Sequence, residues 1–244
     1  MTETLDRAAV ERVVRQVLTE FRRAGTPGRQ DGPASPLKVH VSARHAHLRQ
    51  EDFETLFGRG ARPTVLRPLY QEGHFAAAET VTVIGPKSRL ITGLRILGPL
   101  REYSQVELAY TDVILLGIDN VPVRMSGDIA GTPGAWLMGP AGMLELKQGV
   151  IRAARHAHMS DRDAARLGVA DRGIMELRVE GDAPVVFERV HVRVNPTFKL
   201  EVHLDTDEAN ACHLAAASRV SLRPAKDRTN LISDNINETK GVPA

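Results

Sequence analysis

The phrase Ala43-Arg44-His45-Ala46-His47 returns letter for letter as Ala154-Arg155-His156-Ala157-His158, and this doubling constrains the fold more than any other feature of the chain. The likeness runs on past the phrase: Leu48 matches Met159, Asp52 matches Asp163 and Leu56 matches Leu167, all at one offset. Seven of the fourteen positions from Ala43 to Leu56 are identical. Unrelated segments would share fewer than one, at roughly one chance in twenty per site. An internal duplication is the expectation, and with 244 residues the chain has room for two units of about 100 residues each.

The histidine spacing indicates what each copy does. In an extended chain, side chains two apart leave the same face about 7 Å apart, so two imidazoles can close on one ion; in a helix they would diverge by roughly 200°. Each copy follows a strand-like run, Leu37 to Ser42 in the first and Gly149 to Ala153 in the second. His-x-His at a strand end reads as a pair of metal ligands, and its repetition strengthens that reading beyond what scattered histidines would carry.

Around these two points the chain reads as mainly β. Residues 1–24 carry an apolar stripe at helical spacing (Leu5, Val10, Val13, Val14, Val17, Leu18, Phe21), which predicts an amphipathic helix. Residues 25–36 hold three prolines and three glycines and read as a linker, so the helix face is expected to meet a partner surface. A short helix is expected from Gln50 to Phe57. Strands are expected at 65–69, 79–84, 90–97, 105–109 and 112–118. Turn residues recur about every ten positions, which favours an antiparallel sandwich or barrel. In the second half Ser160 is expected to cap a helix that Gly168 closes, before strands at 174–179, 185–187, 190–194 and 200–204. Residues 224–244 read as a loose polar tail.

Zinc in a catalytic site needs about three protein ligands, and the duplication indicates where the third lies. Pro99 followed by Val106-Glu107-Leu108 and Thr111-Asp112 parallels Pro196 followed by Val202-His203-Leu204 and Thr206-Asp207. Two ligand sets result: His45, His47 and Glu107, and His156, His158 and His203. Both suit zinc or a similar divalent ion. Arg101, just past Gly98-Pro99, is placed to meet a phosphate bidentately if its turn folds over the first site. The glycine-rich run from Ser126 and Gly127 to Gly142 lacks a nucleotide fingerprint; it reads either as turns or as a cradle of free amides for a phosphate-bearing ligand. His40, His74, His191 and His213 have no duplicated partner and read as surface or packing residues.

These residues resemble the phosphate propanoyltransferases, the PduL-type phosphotransacylases of bacterial microcompartments. The resemblance covers Lys38 to about Ser221. It is carried by Val41-Ser42-Ala43-Arg44-His45-Ala46-His47-Leu48, Leu97-Gly98-Pro99-Leu100-Arg101, Gln105-Val106-Glu107, Val123 to Ile129, Ala153 to Met159, and His203 to Asn210. It implies reversible conversion of a short-chain acyl-CoA, propanoyl or acetyl, plus phosphate into acyl phosphate plus CoA. It also implies two small β-barrels, one from residues 37–44 and 154–223 and the other from 45–153. It further implies two zinc ions between them, with Arg101 facing phosphate and Ser126 and Gly127 in the CoA loop. A homodimer in the microcompartment lumen of the cytoplasm, docked on shell or cargo through its N-terminal helix, is likewise implied. One departure is Tyr70-Gln71-Glu72-Gly73, where the family more often has Ser-Gln-Pro-Gly.

Other classes fit less well. A two-domain cupin would use Glu51, but the second copy has Arg162 there and Glu51 falls in the expected helix. A metal-stabilised scaffold would bind ions without turnover. A net charge of +2 with interspersed signs and 4% aromatic residues give no nucleic-acid surface. Membrane spanning and secretion are not expected, since no run of about 18 apolar residues occurs, and the single Cys212 fits a reducing compartment.

Overall fold

A computed structural model of the protein describes residues 37–225; the amphipathic stretch 1–24, the linker 25–36 and nearly all of the 224–244 tail lie outside the described residues. Two curled β-sheets carry the architecture. The smaller has six strands in the order β1 (Lys38–Ser42), β14 (Glu201–Asp205), β11 (His156–Met159), β13 (Val185–Val194), β12 (Ile174–Glu180), β15 (Arg219–Pro224). The larger runs β7 (Val123–Arg124), β10 (Val150–Ala153), β6 (Gln105–Glu107), β2 (His45–His47), β5 (Leu90–Gly98), β4 (Phe75–Ile84), β8 (Ala135–Met138), β9 (Met143–Leu146), with β3 (Val65–Pro68) paired to β4. The chain thus lends β1 to one sheet, turns at Ala43-Arg44, and enters the other.

Each sheet buries one side of its alternating pattern. Met175, Leu177 and Val179 of β12 point inward with Val202 and Leu204 of β14, and Val81 and Val83 of β4 meet Leu94 and Ile96 of β5. Burying side chains of this size yields about 1.5–3 kcal/mol each, which sets strand register: a one-residue slip would turn every apolar side chain outward. Helix α1 (Gln50–Phe57) closes the larger core with Phe53 and Leu56. Helix α3 (Asp161–Leu167) follows the second copy in the same way, its Ser160 Oγ accepting the Asp163 amide at 3.1 Å and Gly168 at φ 67° ending it. Both copies of the repeated sequence therefore form a strand–helix unit.

Three expectations are corrected. Residues 112–118 are not a strand: helix α2 (Tyr110–Leu116) lies there, because Asp112 Oδ2 accepts the Ala109 amide at 3.2 Å, Gly117 caps the end at φ 69°, and the buried residues Val113 and Leu116 are three apart rather than two. The 185–187 and 190–194 runs are one strand, β13, carried past Arg189 at φ 57° with its register to β12 shifted near Met175. The sheets are mixed rather than antiparallel: β1 runs parallel to β14, β2 to β5, β6 to β10, and β11 to β13. Turn residues signal where a strand stops. They do not say which distant strand becomes its neighbour.

Helix α4 (Thr206–Ala211) follows β14 as α2 follows β6, and Asp207 at its start accepts both the amide and the hydroxyl of Thr111 at 2.8 Å. This pair joins the two helices, one following a strand of each sheet. At the C-terminal end of β5, the ring of Phe75 covers Gly98 so closely that a Cβ there would lie 2.1 Å from it, so any side chain at this position would have to displace the ring.

Candidate dinuclear metal centre

The pairing of short strands assembles each ligand set. Antiparallel pairing of β2 with β6 sets His45 opposite Glu107 and His47 opposite Gln105. Antiparallel pairing of β11 with β14 sets His156 opposite His203 and His158 opposite Glu201. Within each set every residue offers one donor atom, and all three lie within 4.8 Å of one another.

In the first set, His45 Nε2 and His47 Nε2 are 3.2 Å apart, and Glu107 carboxylate oxygens lie 3.4 and 3.7 Å from them. The three residues are 5–6% exposed. His45 Nδ1 donates to Ala43 O at 2.8 Å, which fixes the tautomer and turns the Nε2 lone pair inward. His156 Nδ1 does the same to Ala154 O at 2.9 Å. The repeated alanine supplies an orienting carbonyl, and the repeated arginine anchors the turn: Arg44 pairs with Asp112 on α2 and Arg155 with Glu208 on α4, each at 2.7 Å. Lone pairs facing one another beside a buried carboxylate are repulsive without a cation between them. Imidazole and carboxylate donors in threes fit a zinc-type ion.

The electrostatics agree. Burial alone would raise the Glu107 carboxyl, but His45, His47 and the Ser126 hydroxyl hold it well below the usual carboxylate range. Burial opposes charge on His45, yet Glu107 beside it outweighs that and raises its pKa, whereas burial and then His45 push His47 well down. In the second set, burial, then His203 and His158, lower His156 to about 3. A histidine kept neutral in the fold but free to protonate at about 6.5 when unfolded makes the unfolded chain the stronger proton binder between those values. The metal-free protein is therefore expected to lose stability as pH falls from about 6.5 toward 3, by up to about 1.4 kcal/mol per pH unit from His156. His47 and His158, also lowered, act in the same direction, and His45, raised, offsets them in part. Urea midpoints of chelated protein across this range measure the slope; a flat profile would show that these rings are not held neutral.

Both sets open onto one cavity of about 660 Å³. Arg101 lines it; its amide donates to Leu48 O at 2.9 Å and its guanidinium to Ser126 Oγ at 2.9 Å. Ser126 Oγ in turn donates to Glu107 at 2.8 Å, and the Gly127 amide donates to Gln105 Oε1 at 2.8 Å. These two residues therefore brace the first set from behind, and Ser126 also reaches the cavity wall. Glu51 is on the exposed side of α1, away from either set, so the cupin arrangement does not form. Cys212 is buried in the smaller core, and no cavity-lining position is a cysteine.

Four residues at the cavity had no duplicated histidine to mark them: His40, His74, Gln71 and Glu201. His40 sits on β1 in register with His203, and Glu201 stands two positions before His203 on the same strand face. The same-face spacing of Glu201 and His203 was a signal available in the sequence. The contact of Gln71 across 130 positions was not.

The chain matches a protein-family model described as phosphate propanoyltransferase over residues 38–215. A phosphate propanoyltransferase of Planctopirus limnophila is 50% identical over 224 residues, covering 89% of this chain and 91% of that protein. One from Thermotoga maritima is 50% identical over 177 residues, 72% of this chain and 83% of that protein. One from Salmonella typhimurium is 44% identical over 208 residues, 85% and 92% respectively.

Proposed function

From the premise that this chain belongs to the phosphate propanoyltransferase family, we propose that it moves a short acyl group, propanoyl or acetyl, between coenzyme A and phosphate at a two-zinc site. The observation that carries this reading is the opening of both ligand sets, together with Arg101, onto a single cavity. His45, His47 and Glu107 would hold one ion, and His156, His158 and His203 the other. Zinc bound there supplies Lewis-acid stabilisation of charge at the thioester and phosphate oxygens.

The protein's own groups account for the rest. Arg101 presents a planar fork that grips phosphate through two oxygens and turns a third toward the thioester carbon. As the new C–O bond forms, the C–S bond breaks and CoA leaves as the thiolate. Arg67 and Arg95 line the same cavity beside Leu66, Leu69 and Leu97, a mixture suited to the phosphates and the apolar arm of CoA. Ser126 completes the CoA-side wall in this reading, and Gly127 holds Gln105 behind it. With no cysteine on the cavity wall, direct transfer without an acyl-enzyme is favoured.

The remaining parts of the reading rest on sequence. The two strand–helix units support an origin by duplication, with 37–44 plus 154–223 and 45–153 as the two units. The apolar stripe of residues 1–24 supports docking on microcompartment shell or cargo, in a homodimer within the lumen. Among the described residues, no helix is long and apolar enough to cross a membrane.

The test is phosphate-dependent release of free thiol from propanoyl-CoA by the purified full chain. Release is expected with phosphate, is expected to be lost on chelation, and is expected to return with zinc. Thiol release indifferent to phosphate, or none at all from metal-loaded protein, would reject the assignment.

A further inference from the structure

The two centres differ in where their negative charge sits. In the first, the carboxylate is a member of the ligand set, Glu107, and the residue two positions earlier on β6 is the neutral Gln105, which donates to Glu107 Oε1 at 2.6 Å. In the second, all three members are imidazoles, and the matching position on β14 is a carboxylate, Glu201. Register makes the correspondence plain: Gln105 lies opposite His47, and Glu201 lies opposite His158. Each centre then has one carboxylate, in the ligand position or one step behind it.

Glu201 is 1% exposed, so its charge is costly unless every neighbour answers it. Its Oε1 lies 2.8 Å from His203 Nε2 and 3.3 Å from His158 Nδ1, and its Oε2 lies 3.3 Å from His40 Nε2. Nitrogens that donate to Glu201 leave the opposite nitrogens of His158 and His203 as lone pairs for an ion. The remaining partner comes from the other sheet. Gln71, in the turn between β3 and β4, donates to Glu201 Oε1 at 2.7 Å and to Lys199 O at 2.9 Å, and accepts the Lys199 amide at 3.0 Å. Its side-chain amide is fully engaged, and it is itself buried.

We infer that Glu201 is the positioning residue of the three-histidine centre, supplying the negative charge that the first centre obtains from Glu107, and that Gln71 sets its orientation from the opposite sheet. The turn carrying Gln71 also lines the cavity through Leu69, Tyr70 and His74. Occupancy of the second centre and docking of this turn are therefore linked, each favouring the other by the same factor.

The inference rests on the two-zinc reading, and the experiment separates them. Zinc affinity is measured on the full chain by competition with a chromogenic chelator, beside thermal melts of the metal-free protein. Wild type is expected to bind two ions. Glu201→Gln should hold the first ion unchanged and bind the second about 10- to 100-fold more weakly, in line with the cost of losing a group that orients a ligand. Gln71→Ala should weaken the second ion in the same direction, and the double variant should be no weaker than Glu201→Gln alone, because Gln71 acts through Glu201. A changed melt with unchanged affinity for the second ion would make the pair a structural tether and overturn the inference. Should Glu201→Gln fail to fold, the second-ion affinity of Gln71→Ala decides alone. Fewer than two ions on the wild type would instead remove the two-zinc reading on which it stands.

Discussion

Glu107→Ala is expected to leave the protein with one bound zinc instead of two and to lower kcat/KM for phosphate-dependent thiol release by at least about a thousandfold. The effect is large because Glu107 is the sole carboxylate in its ligand set; without it two buried imidazoles, only 3.2 Å apart at Nε2, are left facing each other. Loss of a Lewis acid worth several kcal/mol to the transition state, at 1.36 kcal/mol per tenfold, gives that magnitude. His203→Ala should do the same to the other ion. Elemental analysis and steady-state rates measure both, and a Glu107→Ala protein with two ions and full activity would remove Glu107 from the site.

Arg101→Ala is expected to do something different: both ions stay, and kcat/KM for phosphate falls about 10- to 100-fold. That range is the loss of hydrogen bonds to a charged partner worth about 1.5–3 kcal/mol. The metal should survive because Ser126 still donates to Glu107 when Arg101 is absent, and because the turn is held by the Arg101 main-chain amide on Leu48 O rather than by the guanidinium. Arg101→Lys should recover part of the loss, since it keeps the charge but not the fork. An Arg101→Ala enzyme with wild-type phosphate dependence would place phosphate elsewhere in the cavity. Loss of zinc from this variant would show Arg101 to be a brace for Glu107.

The local half of this protein was readable from its residues. Ser160 and Gly168 bracket α3 where a hydroxyl cap and a left-handed glycine must lie, and the same-face spacing of His45 with His47 follows from the two-residue period of a strand. The third members, Glu107 and His203, could be named because the repeated phrase pointed to matching downstream positions, and they fall beside their histidine pairs. The 112–118 segment departs from the strand its residues suggest because a run of Val, Ile and Leu serves a strand or a short helix alike; the side chain of Asp112, folded back on Ala109, decides between them.

What the sequence determined by itself was the repeated unit of strand, paired imidazoles and following helix, set by interactions within a few residues; the partners of its arginine, Asp112 for Arg44 and Glu208 for Arg155, lie 68 and 53 positions away. What only the tertiary structure decided was company. The parallel neighbours of β1 and β2, the meeting of both ligand sets on one cavity, and the reach of Gln71 to Glu201 depend on contacts between segments 50 to 163 positions apart. Such contacts leave no local period to detect, because they are selected by the burial of whole sheet faces and by the need of a buried carboxylate for partners from wherever the chain can bring them.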